Sequence, residues 1–167
     1  MVNYTDLSQL IEPNNIKPKF LLVLDGIEDP HNFGAILRTA ETAGVDGVII
    51  RKNRQVQVTD TVVKVSTGAA NLVPIARVSN IAETISTLKD QAILVVGVEI
   101  DGNKVYNEAD FRQNIALVIG SEGKGLSRLV KERCDEVVHI PMMGKINSLN
   151  ASVATGIVLF EVLKQRR

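Results

Sequence analysis

The stretch LVIGSEGKGLSR, Leu117 to Arg128, decides how the chain is read. An apolar run stops at Gly120, and Gly123 and Gly125 follow at once. Such a turn lets another group come close to the backbone. If that group were a phosphate, the pattern would be G-x-x-x-x-G-K-[ST] or G-x-G-x-x-G. Neither fits. With Gly123-Lys124 as the G-K pair, the early glycine falls on Val118 and the hydroxyl position on Gly125. The dinucleotide pattern requires a glycine where Arg128 stands. The glycines therefore need another reason.

Outward from this turn, Ile115–Ile119 reads as a strand, a short apolar run of the kind buried on both sheet faces. FLLVL (Phe20–Leu24), Val48–Ile50, Val73–Val78, Ile93–Val98 and Glu136–Ile140 read the same way. Helices are expected over Phe33–Ala43, stopped by Gly44, and over Asp60–Ala70. A further helix carries the stripe Ile81, Ile85 and Leu88, with Ser79 as its cap. The last two span Ser127–Arg133 and Asn150–Lys164. Strands alternating with helices predict an α/β fold, a mainly parallel sheet with helices on both faces. In such sheets ligands sit beyond the carboxyl ends of the strands. Residues 1–19 read as a polar arm or linker with one helical turn around Asp6–Ile11, and 20–167 as a single domain.

The last helix is unusual. In ASVATGIVLFEVL (Ala151–Leu163) only Ser152, Thr155 and Glu161 are polar. It is expected to be buried on most sides, in the core or against a second subunit. Gly156 within it costs about 1 kcal/mol relative to Ala, and close helix packing at that point would explain it.

The 167 residues are 45% hydrophobic and 23% charged, the composition of a globular domain. No apolar run reaches the roughly 18 residues of a membrane span. A lone cysteine, Cys134, excludes an internal disulfide, fits a reducing cytoplasm and reads as a packing residue. With only His31 and His139, no Cys/His zinc spacing can be written, and no metal is expected. Nineteen basic side chains balance nineteen acidic ones, so any nucleic-acid surface must come from local clusters. Arg51, Lys52 and Arg54 form one, and Lys164, Arg166 and Arg167 another. Each is equally readable as solvated surface charge.

Three stretches carry polar groups that packing does not require. In DPHNFGAILRTAETAG (Asp29–Gly44), Asn32 stands at the expected N-cap and Arg38 leaves the apolar stripe. In GSEGKGLS (Gly120–Ser127), Glu122 lies in a turn just beyond a strand's carboxyl end. In IPMMGKINSLNASVATG (Ile140–Gly156), Ser148 or Asn150 is a competent helix cap. Taken one at a time, the first reads as a cap and a surface arginine and the third as a cap, while the second is equally a polar turn.

Together the three resemble the motifs of the SPOUT superfamily, TrmH group, in order and spacing over residues 20–167. The nearest likeness is to the branch of bacterial 23S rRNA guanosine methyltransferases, which VKVSTGAANLVPIARV (Val63–Val78) and Cys134–Met142 also resemble. The resemblance implies a C-terminal trefoil knot, a wall of which would be the glycine turn. It implies S-adenosylmethionine as cofactor and methylation of a ribose 2′-OH in RNA, rRNA first and tRNA as the alternative. A catalytically silent RNA-binding module on this scaffold is the non-enzyme reading, and a flavodoxin-like nucleotide-binding module is a third. Carried over by position, Gly120, Ile140 and Leu149 would hold the cofactor, with Met142 and Gly144 nearby and Val98 and Glu99 at another strand's end. Arg38 would be the central catalytic residue, Glu122 a candidate proton acceptor, and Asn32, Ser148 and Asn150 would orient the ribose and Arg38. The family usually builds its site across a homodimer with the final helix in the interface. Relatives in this branch often carry a small N-terminal RNA-binding domain, where this chain has a short arm before Phe20.

Overall fold

The structure is a computed structural model, and it describes residues 3–13 and 16–167. Residues 1, 2, 14 and 15 of the expected arm lie outside the described residues. The elements are α1 (Leu7–Ile11), β1 (Phe20–Asp25), α2 (Pro30–Ala43), β2 (Gly47–Arg51), α3 (Asp60–Val65), β3 (Ile75–Val78) and α4 (Ile81–Asp90). Then come β4 (Leu94–Val98), β5 (Lys104–Val105), β6 (Ile115–Gly120), α5 (Arg128–Arg133), β7 (Glu136–His139) and α6 (Ala151–Arg166). The seven strands form one sheet in the order β3-β2-β1-β6-β4-β7-β5. Every strand pair is parallel, as the continuous apolar runs predicted.

β1 and β6 lie side by side at the centre, Phe20 opposite Ile115 and Asp25 opposite Gly120. Alternate residues of these strands feed two separate cores. Leu22, Leu24, Leu117 and Ile119 pack with α2 and α6 residues such as Phe33, Leu37 and Leu159. Leu21, Val23, Ala116 and Val118 pack with α1, α4 and α5 residues such as Leu10, Ile85 and Val130. All of these side chains are buried. The sheet order turns back at the centre, because β2 and β3 extend from one side of β1 and β4 lies beyond β6. The carboxyl ends of β1, β6, β4 and β7 thus share one edge, where parallel sheets place ligands.

Several local expectations are corrected. α2 begins at Pro30, three residues earlier than expected, and its N-cap is Asp29, whose Oδ1 accepts from His31 N at 3.0 Å. Proline at the first helical position after an aspartate is the stronger start signal. Asn32 is therefore inside the first turn, its amide freed from capping. α4 is capped by Asn80, not Ser79, through Glu83 N to Asn80 Oδ1 at 3.0 Å. The helix expected over Asp60–Ala70 breaks after Val65, because Thr67 and Gly68 adopt φ of 52° and 87°. A 3-10 turn over Ala69–Asn71 follows. β5, two residues long, carries no readable pattern and was not expected.

α6 is apolar all round yet only part of it is covered. Ala151, Thr155, Val158, Leu159 and Val162 are buried, whereas Val153 and Phe160 are 51% and 43% exposed. Thr155 Oγ1 donates to Ala151 O at 2.7 Å, which satisfies the buried hydroxyl. The close packing expected at Gly156 is absent: an added Cβ would sit an ordinary 3.7 Å from Thr39 Cγ2. The arm is docked on the domain at Tyr4 and Thr5. Thr5 N donates to Ile75 O at 2.7 Å, Val58 N donates to the Tyr4 hydroxyl at 3.0 Å, and Arg77 stacks 4.0 Å over the Tyr4 ring. Among the described residues no helix is long and apolar enough to cross a membrane.

Candidate active site at the carboxyl edge of the sheet

The glycine turn approaches its own chain. A Cβ on Gly120 would overlap the backbone of Gly125, and one on Gly125 would overlap the Glu99 carboxylate. Gly125 also adopts φ 64°, which disfavours any residue with a Cβ. Gly125 N donates to Ser121 O at 2.8 Å and closes the turn. Glu99 Oε2 then accepts from Leu126 N at 2.8 Å, and Asp25 Oδ2 accepts from Ser127 N at 2.9 Å. Carboxylates from the ends of β4 and β1 thus hold the two amides that lead into α5. These amides have no partner within the helix, and anionic acceptors satisfy them well.

The three sequence stretches are joined by hydrogen bonds. Glu122 Oε1 accepts from Ala151 N at 2.9 Å and from Asn32 Nδ2 at 3.3 Å. Asn150 Nδ2 donates to Asn32 Oδ1 at 3.1 Å. Asn150 Oδ1 in turn caps α6, accepting from Ser152 N at 2.9 Å and from the Ser152 hydroxyl. Residues far apart in sequence therefore meet in one ring of polar contacts at the start of the apolar helix.

Beside this ring lies a cavity of about 310 Å³. Its walls include Val98, Ile119, Ile140 and Leu149, which are apolar, and the backbone of Gly120–Gly125. Of the residues expected to hold a cofactor, Gly120, Ile140, Leu149, Met142, Val98 and Glu99 line it, and Gly144 does not. Of the expected catalytic residues, Glu122 and Ser148 line it. The backbone of 142–149 forms no hydrogen bond with other backbone among the described residues, and of this segment Met142, Asn147, Ser148 and Leu149 line the cavity. A second, polar cavity of about 280 Å³ is bounded by Gly26, Glu28, Asp29 and Asn32. Ser121, Glu122, Lys124 and Ala151 border both cavities.

Arg38 stands apart. It lies on the exposed side of α2, lines neither cavity, and among the described residues has no hydrogen bond or ion pair. Six positions beyond Asn32, it is about 9 Å further along the helix and about 120° round. Sequence reasoning also missed Asp25, 5% exposed. Its signal was available, as a charged residue closing an apolar strand at the carboxyl edge. Cys134 proves a packing residue: its thiol contacts the space above Gly97 and faces Val130 O at 3.3 Å. Burial and the neighbouring Asp135 push that thiol up to about 12.

An apolar slot beside a polar cavity, at the carboxyl edge of a parallel sheet, is the place where α/β proteins of this class hold their ligands. Residues 19–160 match the SpoU rRNA methylase family, and the chain belongs to that family. It is 50% identical over 165 residues to a Staphylococcus saprophyticus protein assigned to the TrmH family of tRNA/rRNA methyltransferases, covering 98% of this chain and 66% of that protein. A Staphylococcus aureus protein of the same description matches with the same identity and coverage. The chain thus spans just under two thirds of the length of these relatives. Among solved structures, the SpoU methyltransferase AviRb from Streptomyces viridochromogenes, in complex with the cofactor AdoMet, superposes with a TM-score of 0.88 at 31% identity, over 98% of this chain and 63% of AviRb. The A. aeolicus TrmH/SpoU tRNA modifying enzyme gives 0.82 at 30%, over 96% and 82%.

Proposed function

We propose that this chain forms the catalytic part of an S-adenosylmethionine-dependent RNA ribose 2′-O-methyltransferase acting in the cytoplasm, with rRNA, a 23S guanosine foremost, as its substrate class. Methyltransferases specific for tRNA ribose are the second reading, favoured by the likeness to a tRNA modifying enzyme. The observation that carries the proposal is the hydrogen-bonded ring of Asn32, Glu122, Asn150 and Ala151 between the apolar slot and the polar cavity.

The slot suits S-adenosylmethionine. Apolar walls fit adenine, the backbone of Met142, Asn147, Ser148 and Leu149 offers directional hydrogen bonds, and the volume lies in the range of about 300–1,000 Å³ usual for such sites. Val98, Ile140, Met142 and Leu149 are the residues that would enclose it. When bound, S-adenosylmethionine would supply an activated methyl carbon on a sulfonium leaving group, which keeps the electron pair of the broken bond.

The chain's own residues then have to orient a ribose hydroxyl and take its proton. Glu122 borders both cavities, and its Oε1 is held by two donors while Oε2 has none among the described residues. Oε2 is the proton acceptor in this account, directly or through a water. Asn32 and Ser148 orient the ribose, and Asn150 fixes Asn32. A guanidinium is a hydrogen-bond donor with no acceptor. Arg38 holds an RNA phosphate and stabilises the developing alkoxide rather than acting as base.

The exposure of Arg38 and the open apolar face of α6 support a site completed between two copies of the chain, around the knot that the family resemblance implies. Arg38→Ala should abolish methyl transfer to RNA and leave S-adenosylmethionine binding intact. Unchanged turnover in that variant would remove Arg38 from the mechanism.

A further inference from the structure

The loop from β2 to α3 carries features that neither packing nor the proposed chemistry uses. Arg51 ends β2 at the same sheet edge as the two cavities, next to the end of β1. Its guanidinium offers five N–H donors, and its side chain is only 27% exposed. Yet the guanidinium makes no hydrogen bond among the described residues, and its Nε is buried without a partner. Its one ion pair is long, 3.9 Å from Nη1 to Asp25 Oδ1. Arg166, also partly buried, shows the contrast: it donates to the carbonyls of Pro18, Lys19, Phe111 and Gln113 at 2.7 to 3.0 Å. Arg166 is thus a structural pin, which removes it from the second basic cluster.

Arg51 is also placed beside the polar cavity. Its Nη2 lies 3.9 Å from where a Cβ on Gly26 would stand, and Gly26 lines that cavity. The loop is wired to the same wall. Val56 N donates to Ile27 O at 2.9 Å, and Ile27 N donates to Gln55 Oε1 at 2.8 Å. Gln57 Nε2 holds Arg51 O at 3.1 Å, so the loop presents Arg51 in a set position. Lys52 and Arg54 extend the positive charge on the exposed tip, and Lys124 adds to it on the cavity wall. Unmatched donors beside a substrate cavity suit an anion, and an arginine fork suits a phosphate.

We propose that Arg51, with Lys52 and Arg54, is an anchor for the RNA backbone, Arg51 taking a phosphate next to the target nucleotide in the polar cavity. This rests on the reading of the protein as an RNA methyltransferase. Asp25 serves it as a positioning residue: Oδ1 restrains Arg51 while Oδ2 holds Ser127 N, which links the RNA anchor to the glycine turn of the slot.

The test is binding of an unmodified 23S rRNA transcript across a potassium chloride series, with methyl transfer followed on the same RNA. Removing one phosphate contact lowers the slope of log K against log salt by about one. Arg51→Gln should show that drop with weaker binding, and leave S-adenosylmethionine binding unchanged. Lys52→Gln/Arg54→Gln alters only exposed side chains, so it tests the anchor without threatening the fold, and should lower the slope by about two. Folded variants with the wild-type slope and affinity would overturn the anchor. A wild type that shows the salt dependence, with variants that lose it, but transfers no methyl group would sustain the anchor and defeat the methyltransferase reading.

Discussion

At Gly125, two requirements meet in one residue. The backbone is left-handed and the Glu99 carboxylate occupies the space of a side chain. Gly125→Ala should cost about 1–2 kcal/mol from the backbone alone, and displace Glu99 from Leu126 N. We expect S-adenosylmethionine affinity to fall more than tenfold in a calorimetric titration, with the sheet intact by circular dichroism. Affinity equal to wild type would show that the turn does not shape the slot. Cys134 gives a pH test. Its folded-state value is raised from 9.0 to about 12, so the fold favours the neutral thiol. That contribution is complete below the unfolded value and is lost as pH rises between the two. Alkaline urea melts should show stability falling over this window, and less steeply in Cys134→Ala. Equal steepness would contradict a buried thiol. The sequence exposed these positions unevenly. The glycines, Glu122 and Asn150 could be singled out from spacing. The capping of Asp29 in place of Asn32 could not be weighed without knowing where α2 began, and the role of Asp25 depends on which strand end adjoins which.

Among the elements, the buried strands were the most legible. Each central strand is covered on both faces, so it leaves a continuous apolar run whatever its neighbours are. Element ends were less legible, as α3 shows: a helical pattern continues past Val65 in sequence while Thr67 and Gly68 turn the backbone. The pairing of β5 with β7 rests on two residues and could not have been read at all. The apolar sequence of α6 predicts a helix enclosed on most sides, and the single chain leaves Val153 and Phe160 open. In the proposed homodimer these residues meet a second copy. Phe160→Asp should then shift sedimentation from dimer to monomer and reduce methyl transfer. A wild-type chain that is monomeric and active would contradict a shared site.

At the scale of the whole molecule, the sheet order brings segments around 25, 99, 122 and 150 to one edge. Periodicity predicts the layers and not the order of strands, so this convergence was visible only through family resemblance. The outcome is a slot and a cavity divided by Glu122, with the hydrogen-bonded ring closing the gap between them. In the proposed function the cofactor takes the apolar side and the RNA ribose the polar one. The most direct test is incubation of the protein with tritiated S-adenosylmethionine and unmodified 23S rRNA and tRNA transcripts, followed by digestion to nucleosides. Label should appear in a 2′-O-methylnucleoside. Label confined to methylated bases, or no transfer despite bound cofactor, would contradict it.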